Sequence, residues 1–130
     1  MTALKLRPIA KVVNDVAESP RTWDKVVSRL VFRREYVEGL YRLGHFRHIW
    51  VIFGFHLQRE THLKVHPQHD PGRPLVGVFA SRSPTRPNKL GLTLVRLVSV
   101  RGNVVTVKGL DAFNGSPVFD VKPYEEEIDY

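Results

Sequence analysis

The chain has 130 residues and no cysteine, and its 20 basic and 13 acidic side chains leave a formal charge of +7. This length supports one domain with one core rather than two, and the lack of cysteine excludes disulfides, thiolate metal ligands and a Cys nucleophile. Four acidic residues (Glu125, Glu126, Glu127 and Asp129) fall in the last six positions, so residues 1–124 read as one strongly basic domain suited to a polyanion, and 125–130 as an acidic C-terminal tail.

Met1 to Ile9 carries Lys5, Arg7 and Pro8 with no long apolar run. That composition argues against a secretory leader. No apolar stretch further on approaches the roughly 18–20 residues of a membrane span, so a cytoplasmic protein with no membrane partner is expected. Leu6 to Val13 is apolar and β-branched and predicts a first strand. Asn14 to Asp24 predicts a loop. In Lys25 to Phe32, Val26, Ser28, Leu30 and Phe32 share one face, which predicts a second strand. Tyr36, Leu40 and Leu43 follow at spacings of four and three, predicting one short helix over Glu35 to Leu43 with Gly44 as its cap. His48 to His56 encloses seven apolar or glycine residues and predicts a strand buried on both faces.

Pro67 to Pro74 reads as a loop, Leu75 to Phe79 as a short strand and Ala80 to Gly91 as a proline-stiffened loop. Leu92 to Val100 and Val104 to Gly109 flank Arg101-Gly102-Asn103 as a hairpin. Asn114-Gly115 marks a turn before a last strand, Val118 to Val121. The sum is a mainly β, mostly antiparallel single sheet with one short helix, and closing it into a β-barrel removes its edges. Neither a dinucleotide-binding nor a Walker glycine loop is present.

His62, His66 and His69, and His45 with His48, have spacings that a helix turns toward zinc. Pro67 interrupts the first group and no acidic partner fits the spacing, so no metal is expected. Arg33, Arg34, Tyr36, Tyr41, Arg42 and Arg47 cluster in sequence. Unpaired RNA bases stack on aromatic rings and guanidinium planes while phosphates take the charge; a solvated helix face is the alternative.

Two stretches carry the chemistry. In Gly77 to Leu92 two prolines stiffen a loop holding Arg82 and Arg86, planar forks suited to a carboxylate or phosphate. In Val107 to Tyr124, Asp111 follows a strand and suits an amine or ribose hydroxyl. Asp120 and Lys122 lie two apart on one strand face, as a local ion pair would.

Together the two stretches resemble the TsaA-like family, also called TrmO, of tRNA threonylcarbamoyladenosine N6-methyltransferases. The family pattern G-V-F-A-T-R-S-P-x-R-P-N-P-I-G-L is similar to Gly77–Leu92, and L-D-x-x-D-G-T-P-V-x-D-I-K-P-Y is similar to Leu110–Tyr124. His48 to His56 resembles the family strand H-x-W-V-x-F-x-F-H. Lys89-Leu90 replaces Pro-Ile, Asn114 replaces Asp and Ser116 replaces Thr.

The resemblance implies a single-sheeted barrel, a homodimer and bound S-adenosyl-L-methionine. It maps cofactor contacts onto Arg82, Leu92, Lys108, Gly109, Leu110 and Asp111, onto His56 and Leu57, and onto Pro20, Arg21 and Thr22. Arg82 or Arg21 is expected to pair with the methionyl carboxylate and Asp111 with an amine or ribose hydroxyl. The implied acceptor is N6 of threonylcarbamoyladenosine beside the tRNA anticodon, with His56 as candidate base. Arg33, Arg34, Tyr36, Arg42 and Arg86 are expected to contact the anticodon loop. A non-catalytic S-adenosylmethionine or nucleoside-binding module, and a methyltransferase with a different substrate, are the alternatives.

Overall fold

The computed structural model describes residues 2–16 and 18–130. Six strands close a barrel: β1 (Ala10–Val13), β2 (Val27–Phe32), β3 (His48–Gly54), β6 (Leu90–Arg101), β7 (Val104–Lys108) and β8 (Pro117–Pro123). They run in the order β1-β2-β7-β6-β3-β8, with β8 pairing back to β1 and every pair antiparallel. Closure follows from the side-chain period of two. Val12, Leu30, Ile49, Val51, Phe53, Val95, Val105, Val107 and Val118 point inward and are fully buried, and Leu110 joins them in the core.

The predicted face of β2 is the buried one, with Ser28, Leu30 and Phe32 inside and Val27 and Arg29 exposed. Ser28 is tolerated there because Asn14 Nδ2 donates to its Oγ at 2.8 Å. In β3 alternate residues are buried from His48 to Phe53, and Gly54 is buried after them. Trp50 and Ile52 are half-buried on the outer wall and His48 is exposed, so the expected burial of both faces is corrected. The first strand begins at Ala10 rather than Leu6, since Pro8 has no N–H for a ladder. The β6–β7 turn holds only Gly102 and Asn103, because Arg101 already pairs with Val104.

The helix predicted over Glu35 to Leu43 is absent. Two 3-10 segments, Arg34–Leu40 and Leu43–His45, replace it, separated by a non-helical Tyr41 (φ −56°, ψ 123°) and by Arg42 at φ 68°. Arg42, not Gly44, is the left-handed residue here, and only Leu40 of the first segment is buried. The predicted strand Leu75 to Phe79 is reduced to β5 (Val76–Gly77), which pairs with β4 (Lys64–Val65) outside the barrel and runs into a 3-10 turn, Val78–Ala80. The single α-helix among the described residues is α1 (Glu126–Asp129), inside the acidic segment, where Asp129 Oδ2 accepts from Trp50 Nε1 at 3.1 Å. No helix of the described chain is long and apolar enough to cross a membrane.

Candidate functional site

The loop after β5 is fixed by its own polar groups. Arg86 Nη1 donates to the carbonyls of Val78 (3.2 Å), Ser81 (2.9 Å) and Ser83 (3.2 Å). Its guanidinium also lies 5.9 Å from the centre of the Phe79 ring. Lys89 Nζ donates to Arg86 O and to Thr61 Oγ1, both at 2.7 Å. Lys89 has φ 53°, a conformation closed to the proline that stands here in the family pattern. With the loop fixed this way, Arg82 is exposed and reaches β6, where Nη2 donates to the Leu92 carbonyl.

Asp111 arrives from the other side. After β7 the chain turns at Gly109, whose φ of 96° suits glycine, and Gly109 N donates to Val26 O at 2.9 Å. Leu110 is buried as a core plug, so Asp111 emerges exposed beside it. Thr93 Oγ1 donates to Asp111 Oδ1. A guanidinium and a carboxylate therefore rest on consecutive residues of β6.

Both groups line two cavities. One, of about 1100 Å³, is a cleft between the Gln58–Arg73 excursion and the Arg82 loop, lined largely by polar and charged residues, with Trp23 among them. The other, of about 610 Å³, has an apolar wall of Trp50, Phe55, Leu92 and Leu94. Both volumes fall in the usual range of small-molecule sites or slightly above it. Such a surface offers a cation fork, an anion and an apolar platform, the donor set that a ligand with a carboxylate, an amine and a flat heterocycle requires. Asp111 keeps Oδ2 outside its contact with Thr93, and Arg82 keeps Nη1 and Nε outside its contact with Leu92.

The remaining expected residues are spread around this centre. Leu92 takes the Arg82 contact through its carbonyl and lines the smaller cavity. Lys108 is exposed on the outer wall opposite Arg96. Arg21 and Thr22 are exposed and Pro20 half-buried, just before Trp23, and none of the three lines either cavity. His56 and Leu57 are exposed next to Gln58, also outside both linings. His56 Nδ1 is 3.3 Å from Ser116 Oγ. Ser116 spends its one hydrogen on Phe113 O at 2.7 Å, so His56 Nδ1 must be the donor and Nε2 the acceptor nitrogen in the neutral ring.

Of the residues expected to meet RNA, Arg33, Arg34 and Arg42 are exposed and Tyr36 is half-buried. Arg33 lies 3.9 Å from Glu35. Arg86 is half-buried and engaged as described. Asp120 and Lys122 form the expected ion pair at 3.6 Å. Among the described residues no group of three or more His, Asp or Glu is disposed to hold a metal ion.

Sequence reasoning missed Trp23, Thr93 and the cleft wall from Gln58 to Arg73. Trp23 carried a usable signal, a lone large aromatic in a polar loop. It packs edge-on against Phe113 at 5.6 Å.

The fold and this centre define a small closed antiparallel barrel with Arg82 and Asp111 set at the border of two cavities. The chain belongs to the tRNA-methyltransferase O N-terminal domain family, whose model matches residues 9–130. It is 39% identical over 119 residues to an S-adenosyl-L-methionine-binding protein of Archaeoglobus fulgidus, covering 92% of this chain and 84% of that one. It is 42% identical over 94 residues to the human tRNA (adenine(37)-N6)-methyltransferase, covering 70% of this chain and 21% of the human protein. A crystal structure of TrmO from P. aeruginosa superposes with a TM-score of 0.80 at 27% identity, over all of this chain and 58% of that one. The chain thus spans little more than half of the solved relative and about a fifth of the human one.

Proposed function

We propose that the protein is an S-adenosyl-L-methionine-dependent methyltransferase acting on N6 of threonylcarbamoyladenosine beside the anticodon of tRNA. The observation that carries this reading is the convergence of Arg82 and Asp111 on adjacent positions of β6, at the border of both cavities. Family membership and the name of the human relative support the reaction and the tRNA substrate.

When bound, the cofactor supplies an electrophilic methyl group. The chain's own part is positioning. The Arg82 fork binds the methionyl carboxylate, with Arg21 at the rim, and Asp111 Oδ2 takes an amine or ribose hydroxyl. Leu92 lines the smaller cavity, the backbone of Lys108, Gly109 and Leu110 leads into Asp111, and Pro20, Thr22 and Leu57, outside both linings, join the site by family resemblance. Trp50, Leu92 and Leu94 exclude water from the heterocycle. His56, with Nε2 free to accept, is the base for the N6 proton. Arg33, Arg34, Tyr36 and Arg42 contact the anticodon loop, and Arg86 serves it by holding the Arg82 loop in place.

We assign the active form to a homodimer in the cytoplasm. The exposed apolar side chains Leu63, Leu75 and Phe79 beside β4 and β5 support a partner surface.

The test is Arg82→Ala. Calorimetry should show cofactor affinity lost by at least tenfold, and labelled methyl should no longer reach bulk tRNA. Undiminished affinity would remove Arg82 from the site. The archaeal relative named only for binding S-adenosylmethionine favours one second reading, a non-catalytic binding module. Cofactor binding with no label transferred to tRNA would select it.

A further inference from the structure

Beyond the edge of the cavity that Trp50 and Leu94 border, the outer wall of the barrel turns basic. His48 on β3 lies opposite Arg96 on β6, and Arg96 lies opposite Lys108 on β7. All three are exposed. Directly opposed side chains in antiparallel strands have Cβ atoms about 4.5–5.5 Å apart, and like charges so placed are destabilising. Arg96 and Lys108 are such a pair. None of the four ion pairs among the described residues includes Arg47, Arg96 or Lys108.

The segment before β3 gives this row a second wall. Leu97 N donates to Arg47 O at 2.8 Å, and Tyr124 N donates to His48 O at 3.0 Å, so the strap is fastened to β6 on one side and to the end of β8 on the other. A cavity of about 660 Å³ opens between strap and wall, lined by His45, Phe46, Arg47, His48, Arg96 and neighbouring backbone, with no carboxylate in it. Phe46 is 36% exposed at its rim. Uncompensated guanidinium groups beside an exposed ring suit a phosphodiester strand with an unpaired base.

The register sets the distance to the chemistry. Arg96 is two residues past Leu94 and His48 two before Trp50, about 7 Å along each strand. We infer that His45, Phe46, Arg47, His48 and Arg96 form an RNA-binding site that seats a phosphodiester strand beside the methyl-transfer cavity. The inference rests on the tRNA reading above and adds to it a surface separate from Arg33, Arg34 and Tyr36.

The test is the double variant Arg47→Ala/Arg96→Ala, both exposed side chains outside the cofactor contacts. Binding of bulk tRNA is followed across roughly 50–200 mM salt, with cofactor binding measured by calorimetry. Expected are a loss of tRNA affinity of about tenfold or more and a slope of log K against log salt shallower by about 1.4–1.8, the value for two lost phosphate contacts. Cofactor affinity should stay at the wild-type level, and Arg47→Lys/Arg96→Lys should restore the slope. A double Ala variant with wild-type tRNA affinity and slope overturns the site, even if the wild type methylates tRNA. A wild type that binds tRNA through these arginines yet transfers no label keeps the site and overturns the methyltransferase reading. A wild type with no affinity for tRNA overturns both.

Discussion

The ring of Phe53 occupies the space that a side chain at Gly91 would need. A Cβ built on Gly91 would lie 2.5 Å from Phe53 Cζ and 2.8 Å from Cε1. Phe53 is fully buried and stacks edge-on with Phe55 at 5.3 Å, and both rings with Gly91 border the smaller cavity. Gly91→Ala should therefore destabilise the barrel by about 1–3 kcal/mol through overpacking. It should also weaken cofactor binding by displacing Phe55. Urea unfolding and calorimetry check the two effects, and an unchanged midpoint would show that the ring has room to move.

Asn14 ties the start of the chain to the floor of the site. Its Nδ2 donates to Ser28 Oγ at 2.8 Å and to Ala112 O at 3.0 Å, and its Oδ1 accepts from Val16 N at 2.9 Å. Asn14→Ala strands the buried Ser28 hydroxyl and the Ala112 carbonyl. A loss of about 1–3 kcal/mol is expected, and Ser28→Ala added to it should recover part of that loss.

For Arg86 two roles can be separated. Three carbonyl contacts make it the clamp of the Arg82 loop, so Arg86→Ala should cost about 1.5–3 kcal/mol and expose residues 78–89 to limited proteolysis. A side chain that serves RNA alone would leave both stability and proteolysis at wild-type values while lowering tRNA affinity.

His56 is tested by His56→Gln, whose amide can still donate to Ser116 Oγ. Loss of a general base predicts a fall in kcat of about a hundredfold or more with cofactor affinity unchanged. A kcat near that of the wild type assigns His56 to the Ser116 turn alone.

The barrel was largely legible because its strands alternate. Leu30 and Phe32, or Ile49, Val51 and Phe53, can be buried together only on an extended chain with one face inward. Reading failed where local spacing imitates another period. Tyr36, Leu40 and Leu43 fit a helix, yet the chain breaks at Tyr41 and Arg42, and only Leu40 among them is buried. With so little apolar surface to bury, the segment gains nothing from continuing as a helix. β4 and β5 have two residues each and carry no period at all. The motif residues Arg82 and Asp111 could be singled out in sequence. The strand residues that fix them, Leu92 through its backbone and Thr93 through an ordinary hydroxyl, could not, because either residue type is unremarkable in a strand.

The placement of Trp23 and Trp50 has a practical consequence. They are the chain's two tryptophans, and one borders each of the two cavities that Arg82 and Asp111 share. Tryptophan emission from this protein therefore originates at the mouths of these two compartments. Occupancy can be followed optically on the unlabelled chain, with Trp23→Phe and Trp50→Phe assigning each signal to its compartment.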